Sequence, residues 1–145
     1  MFKHILLPTD GSALSEAAIQ SGIQLAKSLN AGVTGLHVIV PYLPLTVLPQ
    51  MPRDSDEAYY ADSRHRAENY LAVIENAARD AGVTCETAYV WANHVYEAII
   101  KAAEEKGCDL ILMASHGRKG VQGLLIGSET AKVLTHTKLP VLVFR

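Results

Sequence analysis

Five short apolar runs, separated by four stretches of helical spacing, dominate this chain. Lys3 to Pro8, Val33 to Val40, Thr84 to Val90, Leu110 to Ala114 and Pro140 to Phe144 each have the length and composition of a strand. The run Val33 to Val40 is nearly continuous in apolar residues, as expected of a strand covered on both faces. Between the first two, Ser12 is placed to cap a helix with Glu16 in its first turns, and Leu14, Ala18, Leu25 and Leu29 share one face before Asn30-Ala31-Gly32 ends it. A second helix is expected from about Asp56 to Ala81, with Ala67, Leu71, Ile74, Ala78 and Ala81 in one stripe and Gly82 as its stop. A third runs from about Val95 to Lys106, burying Val95, Ala98, Ile99, Ala102 and Ala103, and a fourth from about Ser128 to Thr137. The alternation β-α-β-α-β-α-β-α-β predicts an α/β fold with a parallel sheet and helices on both faces.

The chain has 145 residues, 49% of them hydrophobic, which suits one domain over 1–145 with a sizeable core. Residues 41–55 interrupt the pattern. Their four prolines and loose apolar residues predict an irregular loop, and a candidate lid or partner surface. Thirteen basic and 15 acidic residues leave a net charge of −2, so nucleic acid is not expected as the main partner. Cys85 and Cys108 stand in no metal or redox spacing and read as buried thiols in a reducing compartment. No apolar run approaches the roughly 20 residues of a membrane span, and MFKHILLPTD lacks a secretory pattern. A cytoplasmic location with no membrane partner is expected.

Two of the expected strand ends carry chemistry. The first ends in Pro8-Thr9-Asp10-Gly11, and the fourth in Ala114-Ser115-His116-Gly117. Nine residues after Gly117 comes Gly127, followed by Ser128, Glu129 and Thr130 at a helix start. Bare backbone at a strand end and a glycine-serine helix start form two halves of a phosphate cradle, because backbone N–H groups and the helix dipole both favour an anion. In open parallel sheets the ligand lies beyond the C-terminal strand ends, where strand order reverses. Asp10 either meets a ribose hydroxyl or an adenine amine across such a crevice, or only shapes the turn into the first helix. Gly117 either lets phosphate approach or supplies a positive φ. His116, Arg118 and Lys119 either meet phosphate or are structural and solvated. Thr130 adds a possible hydroxyl, whereas the Glu129 carboxylate has to point outward. Trp91 either lines the crevice or packs the sheet edge, and His37 reads as a satisfied core residue. A nucleotide is the leading ligand, yet no GxxxxGK[ST], GxGxxG or GxSxG motif, no metal-ligand spacing and no carboxylate cluster is present. The residues propose a binding crevice and name no catalytic machinery.

KHILLPTDGS, GLHVIVP and DLILMASHGRKG…GS…VLTHTKLPVLVFR, in this order and spacing, resemble the universal stress protein family over nearly the whole chain. The resemblance implies a single-domain open five-stranded parallel sheet of order 3-2-1-4-5, similar to the adenine nucleotide alpha hydrolase architecture. It implies ATP as ligand, held by Gly-x-x-Gly, nine residues, then Gly and Ser or Thr. Asp10 would meet the adenosine end. The backbone of Val38 would hold adenine, and Met113 would lie near the ribose or base. Gly117, Gly127, Ser128, Glu129 and Thr130 would hold phosphates, largely through backbone N–H groups. The first motif glycine is Ala114 here. A left-handed backbone at that position costs roughly 1–2 kcal/mol, about a tenfold loss in affinity; an extended one costs little. The later glycines, which members without ATP binding usually lose, are kept. The resemblance also implies a homodimer through the last strand, residues 139–144, and a stress-regulatory role in which nucleotide occupancy sets which as yet unknown protein partners bind. A slow ATPase or phosphotransferase with Mg²⁺ bridging the phosphates, and a partner-binding protein that does not take ATP, are the alternatives.

Overall fold

The structure is a computed structural model that describes residues 1–41, 53–117 and 126–145. In chain order the elements are β1 (His4–Pro8), α1 (Ala13–Leu29), β2 (Gly32–Ile39), α2 (Arg53–Ala81), β3 (Cys85–Trp91), α3 (Val95–Glu105), β4 (Leu110–Ala114), α4 (Ser128–His136) and β5 (Val141–Phe144). All strand pairs are parallel and the sheet order is β3-β2-β1-β4-β5. The chain winds from β1 to one edge, then crosses back and winds to the other. With crossovers of constant hand, that reversal puts α1 and α2 on one face and α3 and α4 on the opposite one.

Period-two alternation explains the unbroken apolar runs. Ile5 and Leu7 face α1 and α2, where Ile19, Ile23, Leu71 and Ile74 meet them. Leu6 between them faces the other way, onto Ile99, Ala103 and Val133. Ile5, Leu6 and Leu7 are all fully buried, so none of these three positions tolerates an unpaired polar side chain.

Local signals set the boundaries. Ser12 caps α1 by accepting the Ser15 N–H at 3.2 Å. Its C-terminal stop is Asn30 in the left-handed conformation (φ 54°), and Gly32 already belongs to β2. The core face of α1 is Ala18, Ile19, Gly22, Ile23 and Ala26; the expected Leu14, Leu25 and Leu29 flank it, half-buried. The helix expected from Asp56 begins earlier, at Arg53, so residues 53–55 of the expected loop are helical. Residues 42–52 of that loop, with the lid assigned to it, lie outside the described residues. Cys108 is buried as expected, but Cys85 at the start of the edge strand is only half-buried. Burial raises both thiols to about 11. Among the described residues no helix is long and apolar enough to cross a membrane.

The N-terminal edge of the sheet is tied by side chains. The Asp109 carboxylate accepts the backbone N–H groups of Lys3 (2.8 Å) and His4 (3.0 Å), stitching β4 to β1. Thr34 donates to Glu86 at 3.1 Å and so accepts from Nε2 of His4 at 2.6 Å. Partial burial works against the Asp109 charge, but the two backbone N–H groups outweigh it and hold the carboxyl below its ordinary 3.8. A depressed carboxyl stabilises the fold above its unfolded value and loses that contribution as pH falls through the folded one. Asp109→Asn is therefore expected to cost about 1 kcal/mol at pH 7. In urea titrations the gap to the parent should close below about pH 4.

Candidate functional site

The C-terminal end of β1 is a turn whose polar groups are spoken for. Thr9 N–H donates to the Leu36 carbonyl at 2.8 Å, holding the turn onto β2. The Thr9 hydroxyl accepts from Gly11 N–H (3.1 Å). It also lies 3.2 Å from Ser15 Oγ, whose own proton goes to the Ser12 carbonyl. Asp10 Oδ1 accepts the Ser12 N–H at 3.0 Å, which shapes the turn into α1. Gly11 has φ +77°, and a Cβ there would run into the Tyr70 ring. Tyr70 in turn meets His37 edge-on with centroids 5.1 Å apart. His37 donates from Nδ1 to the Thr9 carbonyl at 2.8 Å, the satisfied role expected of it. Tyr70 escaped the sequence reading. Its signal was its place in the apolar stripe of α2, three residues after Ala67 and four before Ile74.

The end of β4 lies beside that turn, because β4 is the neighbour of β1. Ala114 is the last residue of the strand and is extended; among the described residues Asn30 alone, outside glycine, has positive φ. The methyl group that replaces the motif glycine therefore introduces no left-handed strain. Ser115 N–H donates to the Phe144 carbonyl at 2.7 Å. Its hydroxyl lies 3.2 Å from His116 Nδ1. A Cβ on Gly117 would collide with Asp10 Oδ2, so the carboxylate of the first strand end abuts the glycine of the fourth.

The start of α4 closes onto the same corner. Gly127 N–H donates to the Ser115 carbonyl at 2.6 Å, and Thr130 Oγ1 donates to the Ala114 carbonyl at 2.9 Å. Residues 114–117 and 127–130 thus form one corner with Asp10. Two sequence-based assignments change in detail. The Gly127 amide is donated to the carbonyl of Ser115, just past β4, and the Thr130 hydroxyl to that of Ala114, the last residue of the strand. Gly127 is extended (φ −71°, ψ 161°), and its lack of a side chain serves close approach: a Cβ would lie 3.1 Å from His116 Cα and 3.2 Å from the Ser115 carbonyl oxygen. As N-cap it offers no side-chain oxygen to the first-turn amides of Ser128, Glu129 and Thr130.

Glu129 does point away from this corner. Its Oε2 accepts the backbone N–H of Tyr96 at 3.0 Å, in the first turn of α3, and its Oε1 lies 3.5 Å from Lys132 Nζ. The carboxylate does for α3 what the N-cap His94 does not, since His94 makes no side-chain cap bond. Glu129→Ala should accordingly fray α3, at a cost of about 1 kcal/mol, read as faster amide exchange at Tyr96.

Pro8 ends β1 opposite Leu36. Val38 is half-buried on β2, and Met113 is buried on β4; both pack on the α3–α4 side of the sheet, the side from which α4 starts. Trp91 sits at the end of the edge strand β3 with Tyr60 against it at 5.1 Å, so it packs the sheet edge. Arg118 and Lys119 lie outside the described residues. Among the described residues no group of three or more His, Cys, Asp or Glu side chains could hold a metal ion.

Comparison with known proteins agrees with this architecture. Residues 1–145 match the model of the universal stress protein family. Universal stress protein YxiE of Bacillus subtilis is 33% identical over 153 aligned residues that span all of both chains. Universal stress protein MJ0577 of Methanocaldococcus jannaschii is 30% identical across all of this chain and 96% of its own. Its solved structure superposes with a TM-score of 0.80 over 99% of this chain and 96% of that one. A solved universal stress protein in complex with cAMP is 25% identical, with a TM-score of 0.72 over 99% of this chain and 97% of the other.

Proposed function

The chain belongs to the universal stress protein family, and we propose that the crevice at the β1 and β4 ends binds ATP, whose occupancy tunes which protein partners the molecule engages in the cytoplasm. One observation carries this reading: the Asp10 carboxylate and the side-chain-free Gly117 abut at the strand-order reversal, with the start of α4, whose N-cap glycine brings no side-chain acceptor, on the same corner. A carboxylate suited to ribose and a set of amides suited to phosphate then share one corner. The relative crystallised with cAMP supports an adenine nucleotide as the ligand class.

In this proposal the backbone of Val38 holds the base, with Met113 and Pro8 beneath the nucleoside. Asp10 accepts from a ribose hydroxyl. The phosphates lie over Ser115, His116 and Gly117 and take the amides of Ser128, Glu129 and Thr130. Gly127 contributes the close approach that keeps this surface flat, and Ala114 and the Thr130 hydroxyl brace it from behind. Bound Mg²⁺ would offset phosphate charge from the solvent side. The homodimer is proposed through β5, which forms one edge of the sheet and leaves Leu142 40% exposed.

Heat-denaturing the purified protein and analysing the released small molecules tests the ligand class, and calorimetry with ATP, AMP and cAMP ranks the nucleotides. Adenine nucleotide at near-stoichiometric yield, or saturable ATP binding, is the expected result. No released nucleotide together with no heat at millimolar ATP sinks the proposal.

A further inference from the structure

The edge of the sheet opposite β5 is β3, and among the described residues no strand pairs with its outer side. Its exposed hydrogen-bonding groups can be named. At one end of the strand Val33 N–H donates to the Thr84 carbonyl (2.9 Å), and at the other Ala92 N–H donates to the Ile39 carbonyl (3.0 Å). In a parallel ladder alternate residues face the partner strand. The even-numbered residues of β3 therefore bond to β2, and the N–H and C=O groups of Cys85, Thr87, Tyr89 and Trp91 face outward. The strand's seven residues hold no proline and no lysine, two of the side-chain defences against strand addition.

Side chains beside the edge specify what could be added. A groove of about 480 Å³ runs between α2 and β3, lined by Glu68, Leu71, Glu75, Thr87, Ala88 and Tyr89. Glu68 and Glu75 are exposed, and neither has an ion-pair partner among the described residues. Among the described residues Glu75 accepts only the Thr87 hydroxyl, and the neighbouring Arg79 turns instead to Asn76 at 2.6 Å. At the C-terminal end of the edge stand Tyr60 and Trp91, each 37% exposed and in contact edge-to-face. Large aromatics of this kind are favoured interface anchors.

We propose that the outer edge of β3 is a docking site for an extended, lysine- or arginine-bearing segment of a partner protein, added to the sheet as a further strand. Its backbone bonds to the outward groups of Thr87 and Tyr89. Its side chains on the α2 side enter the groove, basic ones against Glu68 and Glu75 and an apolar one against Tyr60 and Trp91. Glu68 and Glu75 are seven residues apart, about 10 Å along the helix. Same-side residues of a strand recur every ~6.8 Å, so basic residues two or four apart, on flexible stems, reach both carboxylates. Charge excludes a second copy of this chain as the favoured occupant: a twofold pairing of β3 with itself would bring two acidic rows together. The site uses no residue of the nucleotide crevice and stands whether or not ATP binds there.

The test is NMR on the ¹⁵N-labelled protein titrated with a capped eight-residue peptide carrying valine at positions 1 and 7, lysine at positions 3 and 5 and threonine at the even positions, so that one face presents both residue types. Saturable binding with slowed amide exchange at Thr87 and Tyr89 is expected. Glu68→Lys combined with Glu75→Lys should weaken binding by at least about tenfold, and a peptide with glutamate in place of lysine should then bind the doubly reversed protein. Thr87→Pro, which removes an outward N–H while leaving the ladder to β2 intact, should weaken both pairings. An unchanged amide spectrum for β2 shows that each variant is folded. The proposal is overturned by absence of binding at millimolar peptide, by binding that leaves Thr87 and Tyr89 exchange unaltered, or by affinity indifferent to charge reversal. Protection of these amides that rises with protein concentration in the absence of peptide would assign the edge to a second copy instead.

Discussion

Gly127→Asp is expected to abolish ATP binding under the proposed function while leaving the fold nearly as stable as before. The backbone at Gly127 is extended (φ −71°, ψ 161°), a conformation open to any residue, and the position is the N-cap of α4. Aspartate is a favoured N-cap and its charge suits the helix dipole, which offsets the crowding of a Cβ 3.1 Å from His116 Cα. The same property defeats the ligand. A carboxylate at the cap takes the first-turn amides that the phosphates need and adds a negative charge beside them. At about 4 Å and an effective dielectric of about 20 the repulsion is about 4 kcal/mol, nearly a thousandfold in affinity. Calorimetry with ATP, alongside a thermal melt, reads both quantities. Gly127→Ser brings the same Cβ without the charge and should lose far less, which separates crowding from electrostatics. Unaltered ATP affinity in Gly127→Asp would remove the α4 start from the site.

How much of this was legible before any coordinates follows from what kind of information each feature needs. The strands announced themselves because Ile5, Leu6 and Leu7 are buried on alternate faces, and burial on both faces leaves an unbroken apolar run. The stripes of α2 and α3 were legible for the same reason at a different period. Edges of elements were less so. The start of α2 at Arg53 follows a proline and precedes polar residues, and both look like loop. At the site, residue types were readable but hydrogen-bond direction was not. Nothing in the letters tells that the Gly127 amide donates to Ser115 rather than to a ligand, or that Glu129 turns to Tyr96. The doubt over Ala114 was one of φ, a quantity a single sequence does not carry. The meeting of Asp10 with Gly117 depends on β1 and β4 being neighbours, a fact of topology to which only the family resemblance gave access. The open edge of β3 is only hinted at in sequence: Glu86 and Thr87 make it more polar than the central β4, but composition alone does not say which strand lacks a neighbour.

The largest loss of stability should come from the contact of Ile74 with Gly35. Ile74 is fully buried between α2 and the sheet, and Gly35 is the position on β2 that makes room for it. A Cβ on Gly35 would lie 2.7 Å from Ile74 Cδ1 and 3.1 Å from its Cγ2. Ile74→Ala leaves a cavity that the surrounding strands cannot close, at a cost of about 2–5 kcal/mol. Gly35→Ala drives a methyl into an occupied space and should cost about 1–3 kcal/mol by overpacking. The two defects have opposite sign in volume and share one boundary, so they cannot add. In the double variant the alanine methyl fills part of the space that Ile74 vacates, and the loss should fall short of the sum by about 0.5–3 kcal/mol. Thr87 Cγ2, 3.2 Å from the same Cβ, limits the recovery because it stays in place. Urea midpoints at constant slope measure the cycle. Strict additivity would mean that helix α2 retreats from the sheet in either single variant, and the close packing of glycine against isoleucine would then have no part in holding α2 where it presents Tyr70 to the turn at Gly11.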